Sequence, residues 1–225
     1  MKKYTVIYIF SSLVFYVAIF CFRVNNLDSI TKVMIPLFVF SVLLFVLITN
    51  FNTDRKNILL YAVFLLIFIG DVVINLTEHK EFSIMIFGVA HILLSIYYVS
   101  DTGIIGKDFL YLIPVLAFSF VLLILISEDV PDQLLLSAFT GYMAVLDFML
   151  WRALSYLRTG QHRLRMRLII CGSLLFYLTD IFVGLYLIYP QRAFIALIWL
   201  VYPPALIMLS LMNIPKPFYL HREPL

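Results

Sequence analysis

The chain has 225 residues, 64% hydrophobic and 13% charged, with a formal net charge of +3 and a mean hydropathy of +1.04. Soluble domains run near ~45–50% apolar and ~25% charged, so a water-soluble globular fold is excluded: polar surface is too scarce to cover so large a core. The charge is too small and too scattered for a nucleic-acid binder, and the two cysteines, Cys21 and Cys171, make neither a disulfide framework nor a zinc site.

A helix needs ~20 apolar residues to cross a hydrocarbon core of ~30 Å. Eight such runs follow one another: 4–22, 30–48, 58–76, 82–100, 108–126, 134–156, 167–189 and 193–212. The first follows Lys2 and Lys3. It is longer than a signal-peptide core and lacks a small-residue cleavage site, so it reads as a membrane helix. The breaks are short, polar and too small to hold a soluble domain. The expectation is an all-α integral membrane protein, an eight-transmembrane-helix bundle forming a single polytopic domain over 1–225. The termini and the second, fourth and sixth loops carry twelve Lys and Arg, against four on the other side (Arg23, Lys32, Lys80, Arg192). That bias predicts both termini in the cytoplasm, of a bacterial cell membrane if the chain is bacterial. The basic 158–167 loop reads as the main topology anchor.

Ionisable groups inside a membrane cost ~2.5–3.5 kcal/mol on insertion scales and are functional by default. Four stand out: Asp71, His91, Asp147 and Asp180. At a rise of ~1.5 Å per residue, Asp71 lies ~8 Å, and His91 and Asp180 ~14 Å, from the same membrane face. Asp147 is nearer the opposite face. Helical spacing puts Asp71, Asn75 and Glu78 on one stripe, His91 with Gly88, Ser95 and Tyr98, and Asp180 with Ser173, Tyr177 and Gly184. Such faces point into a bundle. Neither Asp71 nor Asp180 has a basic residue within a turn. Asp147 reads as a structural pairing with another helix.

A short internal repeat relates 65–71, ending Gly70-Asp71, to 174–180, ending Thr179-Asp180. Each aspartate falls on the third helix of a four-helix half. A parallel duplication about an axis along the membrane normal would bring the two together.

Several segments, in order, resemble the YhhN-like family of membrane proteins, which includes the lysoplasmalogenases. They are Thr31-Lys32 with Pro36-Leu37, Gly70-Asp71, the run from Phe87 and Gly88 to Ala90-His91, Trp151-Arg152-Ala153, and Gly172 through Asp180. The chain departs from the family pattern in Val33, where proline is common. It also departs in the last helix, where Tyr202-Pro203-Pro204-Ala205-Leu206-Ile207 stands and the family's usual glutamine is missing.

The resemblance implies hydrolysis of the vinyl ether bond of a lysoplasmalogen to a fatty aldehyde and a glycerophospho-base, without cofactor or metal. A vinyl ether is cleaved by protonating its β-carbon and adding water to the resulting oxocarbenium ion, which takes one neutral and one ionised carboxyl. On this reading Asp180, beside Tyr177, is expected as the acid and Asp71, beside Asn75, as the ionised partner, with the reverse left open. His91 would hold a water or a carboxylate, or simply bond within the bundle. Lys32 would meet the lipid phosphate or snorkel to the interface. Tyr177, Asn75 and Tyr202 are the other expected substrate contacts. The partners are then a single-chain ether lysophospholipid and the bilayer.

Two rival chemistries fail on residue counts. A zinc hydrolase needs several intramembrane histidines, and of the four only His91 falls in a span; His79, His162 and His221 do not. A retinal protein needs a lysine in its last helix, which has none. The alternative that stays open is a proton-coupled transporter or lipid-moving protein using Asp71 and Asp180 as a relay.

Overall fold

The computed structural model describes residues 2–25, 27–49, 54–77, 79–130, 132–159 and 163–213. Glu78, His162, Lys216, His221 and Arg222 lie outside them. Eight helices follow in chain order: α1 Lys2–Val24, α2 Asp28–Thr49, α3 Arg55–Leu76, α4 Lys80–Thr102, α5 Phe109–Ser127, α6 Gln133–Leu154, α7 Arg163–Ile188 and α8 Arg192–Leu211. All eight are long and apolar enough to cross a membrane, and no strand occurs among the described residues. This is a multi-pass membrane architecture. Its outward faces carry large apolar side chains such as Phe10, Ile48, Leu110 and Leu125, which is what lipid, rather than water, accepts.

Helix ends fall close to the sequence expectation except at α7, which begins at Arg163, four residues before the expected 167. The basic residues there look like loop, yet arginine is a good helix former. Arg165 also finds partners from within the helix: Asp101 at 3.0 Å and the carbonyl of Met212 at 3.1 Å.

The closest helix pairs are α3 with α4 and α7 with α8. Glycine permits both. A Cβ on Gly70 would come within 3.0 Å of the Phe87 ring, and one on Gly172 within 3.0 Å of Leu209. Ser83 on α4 then donates to the carbonyl of Gly70 at 2.9 Å, pinning α4 beside the residue that precedes Asp71.

Packing repeats with a period of four helices. Within each half, α1–α2, α2–α3 and α3–α4 recur as α5–α6, α6–α7 and α7–α8, and between halves α4 packs on α6 as α8 packs on α2. The extra α1–α8 contact has no α4–α5 counterpart of comparable extent.

At the end of the bundle where α1 starts and α8 finishes, polar side chains tie the helices together. Asp101 accepts from Lys56 at 2.8 Å, from Tyr156 at 2.9 Å and from Arg165, joining α3, α4 and α7. Asp108, in the short 3-10 turn before α5, takes Arg158 at 2.8 Å and Arg152 at 3.3 Å. Arg152, fully buried, also donates to Thr102 at 2.7 Å and to the carbonyl of Gly103. Gly103 closes α4 at φ +65°, a left-handed conformation that suits glycine.

Candidate functional site

At the opposite end, a cavity of about 660 Å³ runs inward between α1, α2, α3, α4, α7 and α8. Asp71 and Asp180 both line it, together with Asn75, Tyr202 and Lys32. Its size suits a small-molecule or lipid-headgroup site. Ile74, Val183, Leu187, Ile195 and Ile198 supply an apolar flank.

Each aspartate is held by a residue from the opposite half of the chain. Asp71, 3% exposed, accepts a hydrogen bond from the Tyr202 hydroxyl on α8. Asp180 Oδ2 lies 2.5 Å from His91 Nε2 on α4. An ionised carboxylate can only accept, so Nε2–H is the donor to it. The two ties exchange when each helix is replaced by its counterpart four helices on: α3–α8 becomes α7–α4.

Local chemistry aims these groups. Pro203 and Pro204 lie inside α8 and remove two backbone donors directly after Tyr202. The carbonyl that Pro204 leaves unbonded, that of Leu200, accepts from the Tyr16 hydroxyl on α1 at 3.3 Å. Tyr202 then packs against Phe176 (ring centroids 6.0 Å) and Trp199 (6.0 Å). The Phe176 ring also lies tilted against His91, at 4.6 Å, so one apolar ring touches the partners of both acids. His91 is fully buried, and Ser95 donates to its backbone carbonyl at 2.7 Å. Its Nδ1 has no hydrogen-bond partner among the described residues. Tyr142 on α6 faces the imidazole edge-on at 6.2 Å and its hydroxyl meets Asp180.

Most residues singled out from sequence converge here: Asp71, Asp180, Lys32, Asn75 and Tyr202 line the cavity, and His91 backs Asp180. Asn75 spends its amide on the backbone carbonyl of Asp71, at 2.9 Å. Tyr177 departs from expectation. It does not line the cavity; its hydroxyl donates to Asp147 at 3.0 Å and lies 2.8 Å from the Ser119 hydroxyl on α5. Three residues separate it from Asp180, a turn of ~60° about the axis. Its long side chain also leans toward the helix N-terminus, away from the cavity. Asp147 is thus a structural pairing, as expected, with Ser119 at 2.6 Å as its other donor.

Sequence reasoning missed Arg23, Trp199, Phe176 and Tyr142. The available signal was topological for Arg23, one of four basic residues on the poorer side. For Phe176 and Tyr142 there was none, since the chain holds 21 Phe and 14 Tyr; Trp199, one of two Trp, had only its rarity to mark it. Among the described residues no group of three or more His, Cys, Asp and Glu side chains is gathered as a metal site.

Comparisons with curated proteins and with solved structures return no match. The YhhN family model matches residues 28–212, from the start of α2 to the end of α8, and the chain belongs to the YhhN family.

Proposed function

We propose that this protein hydrolyses the vinyl ether bond of a single-chain ether phospholipid, a lysoplasmalogen, releasing a fatty aldehyde and a glycerophospho-base. The observation that carries this reading is that two carboxylates, each tied from the opposite half, line one cavity with an apolar flank.

The partners divide the roles. Asp180 bonds an imidazole, a group able to share a proton, and so acts on water. Asp71 has a phenol as its hydrogen-bond partner and acts as the proton donor. This reverses the assignment expected from sequence depth. Asp71 delivers its proton to the β-carbon of the vinyl ether, leaving an oxocarbenium ion at the α-carbon. Water adds to that carbon and gives a proton to Asp180, steadied by His91. The hemiacetal collapses: its hydroxyl proton returns to Asp71, the carbon–oxygen bond to glycerol breaks, and the leaving oxygen takes the proton from Asp180. Both carboxyls end as they began.

The transporter alternative requires the aspartates to be reached from both ends of the bundle. The ties of Asp101 and Asp108 across α3, α4, α6 and α7 favour a cavity with one mouth, as hydrolysis needs. The twelve-to-four bias of Lys and Arg between the two sides supports both termini in the cytoplasm.

The test is aldehyde release by purified protein in detergent, with no sealed compartment, over a panel of single-chain vinyl ether lipids. Release is expected, and Asp71→Asn and Asp180→Asn should each abolish it while the protein stays folded. No aldehyde from any lipid, or full activity in either variant, overturns the proposal.

A further inference from the structure

Pro203 and Pro204 deprive the carbonyls of Trp199 and Leu200 of their helical donors. The gap opens within a turn of Tyr202, the residue that holds Asp71. Tyr202 also stands directly before a proline, a position that resists helical geometry. Water cannot repair such a gap inside a membrane, so a neighbouring helix must.

That neighbour is α1. Tyr16 stands eight residues before the end of α1 at Val24, and Leu200 eight residues after the start of α8 at Arg192, so both lie ~12 Å inside the same face of the bundle. The Tyr16 hydroxyl donates to the Leu200 carbonyl at 3.3 Å, in place of the amide that Pro204 lacks. Two turns further along α1, the guanidinium carbon of Arg23 stands 5.6 Å from the centroid of the Trp199 ring, within cation–π range. Trp199 in turn meets the Tyr202 ring edge-on, with centroids 6.0 Å apart. α1 therefore grips α8 by a carbonyl and by a ring, both beside the break.

The internal repeat supplies a control. Replacing each helix by its counterpart four helices on turns α1 against α8 into α5 against α4, and that pair has no contact of comparable extent. α4 contains no proline, and His91 reaches Asp180 from an unbroken helix. The flanking helix is packed against the broken arm and not against the intact one. α1 precedes the matched stretch 28–212, so family membership assigns it no role.

We propose that α1 is a brace for the proline break in α8, and that Tyr16 and Arg23 are positioning residues that hold Tyr202, and through it the carboxyl of Asp71, in place. The catalytic consequence rests on the reading of the site given above; the brace itself does not.

Amide exchange and turnover, measured on the full chain in detergent, test this with Tyr16→Phe, which keeps the ring and removes the donor. Exchange in the 199–207 segment of α8 should quicken, and kcat for aldehyde release should fall, each about fivefold, the worth of one hydrogen bond, with KM within about twofold. Arg23→Gln, which lifts the cation from Trp199, should move both readings the same way; if it does not fold, Tyr16→Phe decides. Tyr8→Phe is the comparison. It removes the 2.8 Å bond to Ser210 between the same two helices, beyond the break, and should lower the unfolding midpoint at least as far while exchange in 199–207 and kcat stay unchanged. In a Pro204→Ala background, where an amide returns to the Leu200 carbonyl, Tyr16→Phe should change neither reading by more than about twofold. Equal effects of Tyr8→Phe and Tyr16→Phe, or a Tyr16→Phe effect that survives Pro204→Ala, overturn the brace. Quickened exchange in Tyr16→Phe that Pro204→Ala abolishes, in a protein that releases no aldehyde, removes the hydrolase reading alone.

Discussion

His91 Nε2 lies 2.5 Å from Asp180 Oδ2, bridging α4 of the first four-helix half to α7 of the second. The imidazole is fully buried and its ring is wedged by Phe176, so the pair has little room to separate. A carboxylate oriented by histidine is suited to take a proton from water.

His91→Gln should therefore lower kcat for aldehyde release roughly a hundredfold with a small change in KM, because the imidazole stands behind the acid and outside the cavity lining. Steady-state kinetics on one vinyl ether lipid would decide it. Turnover within twofold of the parent protein would remove His91 from the chemistry.

Tyr202→Phe separates the ring from the hydroxyl. The ring keeps its packing with Phe176 and Trp199, while Asp71 loses the donor that fixes its carboxyl. Loss of the hydrogen bond that stabilises the Asp71 carboxylate left by proton transfer predicts a fall in kcat of about tenfold or more. Asp71→Asn should abolish release altogether, so the two variants are expected to rank in that order.

Tyr177→Phe should do the opposite of what helical spacing alone implies. Its hydroxyl serves Asp147 and Ser119, so turnover should stay within about twofold. Stability in detergent should drop by ~1–3 kcal/mol, the cost of leaving a buried polar group short of a partner. Thermal unfolding and the aldehyde assay on the same preparation measure both.

How far the sequence revealed this arrangement depends on the kind of feature. The eight spans were legible because lipid demands long apolar runs, and each break announced itself by charge or amide side chains. Asp71, His91 and Asp180 were legible for the same reason: a titratable group is conspicuous where almost everything else is apolar. The repeat around the two aspartates was also visible, and the helices pack with the period it implied. Tyr177 was misplaced because a helical face is ~100° wide and a tyrosine at its edge can turn to either neighbour. The pairing of Asp108 with Arg152 escaped notice because Asp108 stood at an expected helix start, where charge looks like solvated loop, and nothing in the sequence pointed from Arg152, a turn inside 134–156, to that loop.

That pair supplies a stability prediction. Asp108→Leu leaves Arg152 buried with Thr102 and Gly103 as its remaining acceptors. The expected loss is about 3 kcal/mol, the low end for a severed buried ion pair, read as a lower midpoint of thermal unfolding. Changing both residues to leucine should recover part of it, since neither charge is then stranded. A double variant less stable than the single one would contradict this account of the network.

Both acids are restrained by the half of the molecule to which they do not belong. A small swing of one half against the other would draw the phenol from Asp71 and the imidazole from Asp180 in a single movement. On the proposed reading, catalysis is for that reason tied to lateral pressure: a lipid or detergent that lets the bundle relax would silence both acids together, long before any helix melts.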